Sequence, residues 1–291
     1  MSAGTRVASF GALLVAIFAL AIAGGSALDP ATEAAEPGHH AAPAPADTAS
    51  ADAHPGAPAA PGAAADGELR LVTQSPTALT PGRRGRLTFR IADAEGATLR
   101  DFDTEQARRM HLIVVRRDLR RFQHLHPVQD ATGAWTVGLT LPDAGVYHAF
   151  ADFRSGGERR TLGVDLFAGG RFEPLALPSP ADTARVDGYD VALSEHGRED
   201  GSTSANGHSE LRFSVSRDGA AVNGLQPYLG ARGHLVMLRA GDLAYEHVHP
   251  LKTDELGFAT ADVAPGRYRL FVQFRHADEV HTAAFTREVA P

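Results

Sequence analysis

Two stretches of the chain share one spacing. MHLIVVRRDLRRFQHLHP at 110–127 and GHLVMLRAGDLAYEHVHP at 233–250 both read H-x12-H-x-H-P. Their flanks agree as well. Leu87, Phe89 and Ile91 alternate ahead of the first copy, as do Leu211, Phe213 and Val215 ahead of the second. Downstream, Gly145-x-Tyr147 answers to Gly266-x-Tyr268, and Phe150-x-x-Phe153 to Phe271-x-x-Phe274. The match covers roughly 69–168 and 188–289. A repeat of that length is a domain copied whole, so one module has to fold twice.

Within each copy apolar residues alternate with period two between turn signals, and no long stretch has the helical period of 3.6. Strands are expected near 69–73, 86–92, 110–116, 120–126, 135–141, 146–154 and 160–167. Seven short strands in about 100 residues is the immunoglobulin-like pattern, and Gly-x-Tyr entering the sixth strand predicts a tyrosine corner. The chain has no cysteine. That removes the antibody-type bridge, thiolate metal sites and cysteine nucleophiles. The expected fold is all-β, with two tandem Ig-like antiparallel sandwiches at 67–168 and 188–291 and a proline-bearing linker at 169–187.

The N-terminal part differs in kind. Arg6 precedes an apolar run from Val7 to Ala23, followed by Gly24, Gly25, Ser26 and Ala27. Residues 1–27 read as a signal peptide or membrane anchor. The run approaches the roughly 20 residues that span a bilayer, which favours a retained or slowly cleaved anchor helix. Arg6 on the short side puts the rest of the chain outside, in an extracytoplasmic location. Residues 28–66 contain no Lys, Arg or aromatic residue, and read as a disordered spacer. His39, His40 and His54 within it read as solvated. A net charge of −7 with scattered arginines argues against nucleic-acid binding.

The repeated histidines are the candidate site. A two-residue turn around Arg117-Asp118, and around Ala240-Gly241, would set His111 opposite His124 and His234 opposite His247. Facing residues have Cβ atoms about 4.5–5.5 Å apart. His126 and His249, two residues on, share the face of His124 and His247. Each module would then hold its own three-imidazole cluster, suited to Zn(II) or Cu(II). A fourth ligand could be water, Asp152 in the first copy or His281 in the second. Strand alternation sends Met110 and Met237 to the opposite face. The same pattern could instead brace the loop after Pro127 and Pro250, and a slip of register would break the arrangement.

The strings quoted above, with LQPYLGARGH at 225–234, resemble a group of bacterial secreted or membrane-anchored proteins, and more distantly the YtkA-like extracytoplasmic Ig-like domains. The resemblance implies copper or other metal handling, with His111, His124 and His126, and His234, His247 and His249, as the residues carried over.

Two functions compete at this stage. One is an extracytoplasmic metal-binding protein. The other is a structural or adhesive module pair that meets an envelope or protein partner through sheet edges and an arginine rim (Arg83, Arg84, Arg86, Arg108, Arg109, Arg116, Arg117, Arg120, Arg121). An enzyme is not expected, because no hydrolase, zinc-protease or phosphate-loop motif occurs. Whether the modules act separately or share one site is left open by the sequence.

Overall fold

The computed structural model describes residues 65–66, 69–196, 209–251, 255–260 and 263–290. The expected signal or anchor and almost all of the expected spacer lie outside the described residues. Among the described residues there is no helix, and so none long and apolar enough to cross a membrane.

The first module contains β1 (Ala65–Asp66), β2 (Leu69–Thr73), β3 (Ala78–Leu79), β4 (Arg84–Ala92), β5 (His111–Arg116), β6 (Gln123–Leu125), β7 (Val128–Gln129), β8 (Trp135–Thr140), β9 (Gly145–Ser155) and β10 (Glu158–Ala168). They form two sheets, ordered β1-β2-β4-β8-β7 and β3-β10-β9-β5-β6. The second module contains β11 (Thr183–Val186), β12 (Tyr189–His196), β13 (Ser209–Arg217), β14 (Ala220–Ala221), β15 (Gly233–Arg239), β16 (Tyr245–Glu246), β17 (Val248–Pro250), β18 (Leu256–Thr260), β19 (Gly266–His276) and β20 (Glu279–Val289). Its sheets run β11-β12-β13-β18-β17, with β14 beside β13, and β16-β15-β19-β20. Part of the stretch read as linker is therefore the strand β11.

Each module has its own core between its sheets. Leu87, Phe89, Met110, Leu112, Trp135 and Tyr147 lie in the first, and Val191, Phe213, Met237, Phe258, Tyr268 and Phe285 in the second. The tyrosine corners are present. Tyr147 Oη donates to the Asp143 carbonyl at 3.0 Å, and Tyr268 Oη to the Ala264 carbonyl at 2.6 Å.

A third apolar cluster lies between the modules. It joins Ile113, Val115, Leu119 and Phe150 to Val236, Leu238, Leu243 and Phe271. Phe122 stacks on Phe271 (4.2 Å, 12°), and the equivalent pair Tyr245 and Phe150 lies at 5.3 Å. This reciprocity marks an isologous interface with an approximate two-fold axis. The sheets holding β5-β9 and β15-β19 thus have both faces covered. That accounts for the unbroken apolar runs Leu112–Val115 and Leu235–Leu238, since a strand with one wet face alternates and a strand buried on both does not.

Candidate metal centre

Both hairpins depart from the expected register. β5 pairs with β6 as Leu112↔Leu125, Ile113↔His124 and Val114↔Gln123. Extended to the turn, this register sets Arg116 against Arg121 and leaves 117–120 as the connection. β15 pairs with β16 as Met237↔Glu246 and Leu238↔Tyr245, leaving 240–243. The turns are longer than two residues because each loop turns in a leucine, Leu119 or Leu243, that adopts positive φ (58° and 60°) and buries its side chain in the junction. His124 therefore sits opposite Ile113, not His111. The slip is two residues, so the histidines keep their common face.

The two copies then diverge. In the first, β6 stays in its sheet through Leu125, and His126 is carried alongside His111, with ring centroids 5.2 Å apart. In the second, β16 ends at Glu246, and the chain crosses to the other sheet, where β17 pairs with β18 through His249↔Ala259. His249 is exposed. His247, at the crossing, reaches over the junction to the first module, with Nε2 3.0 Å from Thr161 Oγ1 and 3.3 Å from Asp152 Oδ1. The structure does not bring His234, His247 and His249 together as a second cluster.

Among the described residues one cluster forms instead, and it draws on both modules. One ring nitrogen each of His111, His124 and His234 lie within 4.8 Å of one another. The equivalent residues His111 and His234 stack across the junction, 5.6 Å apart at 14°. His124 lies 4.4 Å from His234 and 4.7 Å from His126, centroid to centroid. Tetrahedral ligands at 2.0–2.1 Å place their nitrogens about 3.4 Å apart, so from separations within 4.8 Å the rings have to close by no more than about 1.4 Å.

The protons of this cluster are informative. His111 Nε2–H donates to the Glu105 carbonyl at 3.2 Å. His124 Nδ1–H donates to Gln273 Oε1 at 2.7 Å, and Gln273 Nε2 donates to Thr282 Oγ1 at 3.1 Å. The remaining nitrogens, His111 Nδ1 and His124 Nε2, face each other at 2.9 Å. In one tautomer a hydrogen bond joins them, and in the other both present lone pairs that a metal ion can take. His126 Nε2 and His234 Nδ1 are buried without a hydrogen-bond partner among the described residues. Burial holds the imidazoles neutral, with His126 lowered to about 4, His234 to about 3, and His111 and His124 also lowered. Neutral imidazole is the ligating form. These residues fit a metal ion, and the three-histidine group could hold one.

The remaining candidates fall outside the cluster. Asp152 is opposite His111 on β9, bonded to His247 and Thr161. Burial pushes its carboxyl up, and the His247 hydrogen bond and the Arg159 guanidinium help to more than offset this. His281 pairs in register with Phe274, whereas His234 pairs with Gln273, so His281 occupies the opposite face of the sheet from His234. There it donates to Asp187 at 2.9 Å and packs on Tyr189. In the arginine rim, Arg116, Arg117 and Arg121 are paired with Asp118, Asp165 and Asp143. The residues that sequence reasoning did not single out are Gln273, Glu105 and Thr161.

A domain family described as "Domain of unknown function (DUF8832)" matches residues 63–169 and again 184–291. No curated protein matches the chain significantly. Solved structures similar to it include surface layer protein SbsC, domains 4–9, at 12% identity, covering 76% of this chain and 31% of that one, with a TM-score of 0.22. E. coli alpha-2-macroglobulin in its native conformation matches at 13%, covering 80% and 14%, with a TM-score of 0.27. Titin A168169 matches at 9%, covering 76% and 99%, with a TM-score of 0.20. The chain spans less than a third of the length of the first two. At these scores the likenesses carry no argument.

Proposed function

The chain belongs to the DUF8832 domain family, whose domain it carries twice, and from its site we propose that it is an extracytoplasmic metal-binding protein holding one Zn(II) or Cu(II) ion between its modules. His111, His124 and His234 would be the ligands, with His126 as the fourth. The observation that carries the reading is the convergence of three imidazole nitrogens within 4.8 Å. An all-imidazole donor set favours borderline divalent ions over Ca(II) or Mg(II), which want oxygen. It also lacks the sulfur that a Cu(I) carrier uses, since Met110 and Met237 are buried in the module cores. The apolar run from Val7 to Ala23 supports the location. We read the centre as a holding site and not a catalytic one.

Titration of the full chain with Zn(II) and Cu(II) by calorimetry tests this. One ion per chain is expected, lost in the triple variant H111A/H124A/H234A. Uptake by the parent no greater than by the triple variant would leave the other reading, in which the histidines brace the junction through their bonds to Glu105 and Gln273.

A further inference from the structure

The approximate two-fold axis sets two crossings side by side. On one side His124 of the first module bonds Gln273 of the second, and Gln273 bonds Thr282. On the other, His247 of the second bonds Asp152 of the first, and Thr161 donates to Asp152. The residues correspond one to one. Asp152 stands in register with His111 as Gln273 stands with His234. The two sides differ in charge, because a carboxylate occupies one place and a neutral amide the other.

We propose that Asp152, fixed by His247 and Thr161, is the positioning and charge-balancing residue of the trihistidine centre, and that the duplicated histidine His247 serves to hold it. The proposal rests on the metal reading above. Neutral imidazoles leave the full charge of a bound ion uncompensated. Asp152 lies directly across the strand pair from His111. A partly buried negative charge in register with a ligand favours a divalent over a monovalent ion, because Coulomb energy scales with the ion's charge and screening is reduced there. His247 and Thr161 both engage its Oδ1, and the group of converging donor atoms is His111, His124 and His234, without Asp152. That assigns it to the outer shell, with His126, whose Nε2 is buried without a partner among the described residues, nearer the ligand role. Partners of this kind tune metal affinity by about 10–100-fold.

The test uses the full chain, with Zn(II) affinity read by competition against a chromophoric chelator. Asp152→Asn is expected to weaken Zn(II) by about tenfold or more while stoichiometry stays at one. Gln273→Glu, which puts a second carboxylate at the equivalent place, is expected to tighten it. Asp165→Asn, on the same sheet but paired with His148 and Arg117, is expected to change nothing. With copper, a tenfold loss confined to the divalent state raises the Cu(II)/Cu(I) potential by about 59 mV, a shift that mere loosening of the fold would not produce. If Asp152→Asn fails to fold, Gln273→Glu carries the test alone. Affinities of both variants within twofold of the parent, or an equal loss in Asp165→Asn, would overturn the proposal. A parent that binds no metal would instead overturn the metal reading.

Discussion

His111 and His234 hold the same place in two copies of one module, and the junction stacks their rings 5.6 Å apart at 14°. Neither module can complete the cluster alone. The centre is a property of the paired modules.

The stoichiometry follows from that. Replacement of His234 by alanine should abolish tight metal uptake as fully as replacement of His111 or His124, although His234 belongs to the other module. His249→Ala should leave uptake intact, because His249 is exposed on β17 in the other sheet. Equilibrium dialysis of each variant checks this. Two ions in the parent, or a loss in His249→Ala equal to that in His234→Ala, would contradict the shared centre.

Metal should stabilise the fold by mass action. At a free ion concentration 100 times Kd, the gain is about 2.7 kcal/mol. Thermal melts with and without EDTA should separate by several degrees for the parent and coincide for His234→Ala.

Metal-free protein should lose stability on acidification below about pH 6.5. Burial lowers His126 to about 4 and His234 to about 3 in the folded chain, while an unfolded chain's imidazoles titrate near 6.5. Between these values the unfolded state binds more protons, so stability rises with pH through the window and is fully present above it. Urea midpoints measured in EDTA should therefore fall from pH 7 to pH 4. The His126→Gln/His234→Gln variant should show a shallower fall, and a pH-independent midpoint in the parent would contradict the burial.

The junction itself should be worth several kcal/mol. Phe271 is almost fully buried and stacks on Phe122. Phe271→Ala should cost about 3–5 kcal/mol, as for other buried phenylalanines. Phe150→Ala, at the equivalent place, should cost a similar amount. Denaturant titration of the two variants checks both.

Gly233 makes room beside the centre. A Cβ there would lie 2.3 Å from the Gln273 carbonyl oxygen and 2.3 Å from Leu256 Cδ1. The backbone atom cannot yield cheaply, so Gly233→Ala should part β15 from β19 and displace both His234 and Gln273. It should cost about 1–3 kcal/mol or more by overpacking, read as a lower urea midpoint together with weaker Zn(II) binding.

The repeat, the all-β class, the strand positions and the tyrosine corners were legible in the sequence, because alternation, turn residues and Gly-x-Tyr act over a few neighbouring positions. So was the common face of His111, His124 and His126, because a two-residue slip preserves the face of a strand. The register itself was not legible. Leu119 and Leu243 lengthen the turns because they have the opposite module to bury against, and no local rule contains that partner. The same holds for the centre. Two nearly identical hairpins meet across a shared face, and one of them leaves its sheet at His247 while the other holds to Leu125. That difference puts His126 beside His111, sends His249 to solvent and sets His247 on Asp152. The unbroken runs Leu112–Val115 and Leu235–Leu238 were the one local sign of a face buried against something else. What buried it, and so which four histidines meet, was decided by the packing of one module on the other.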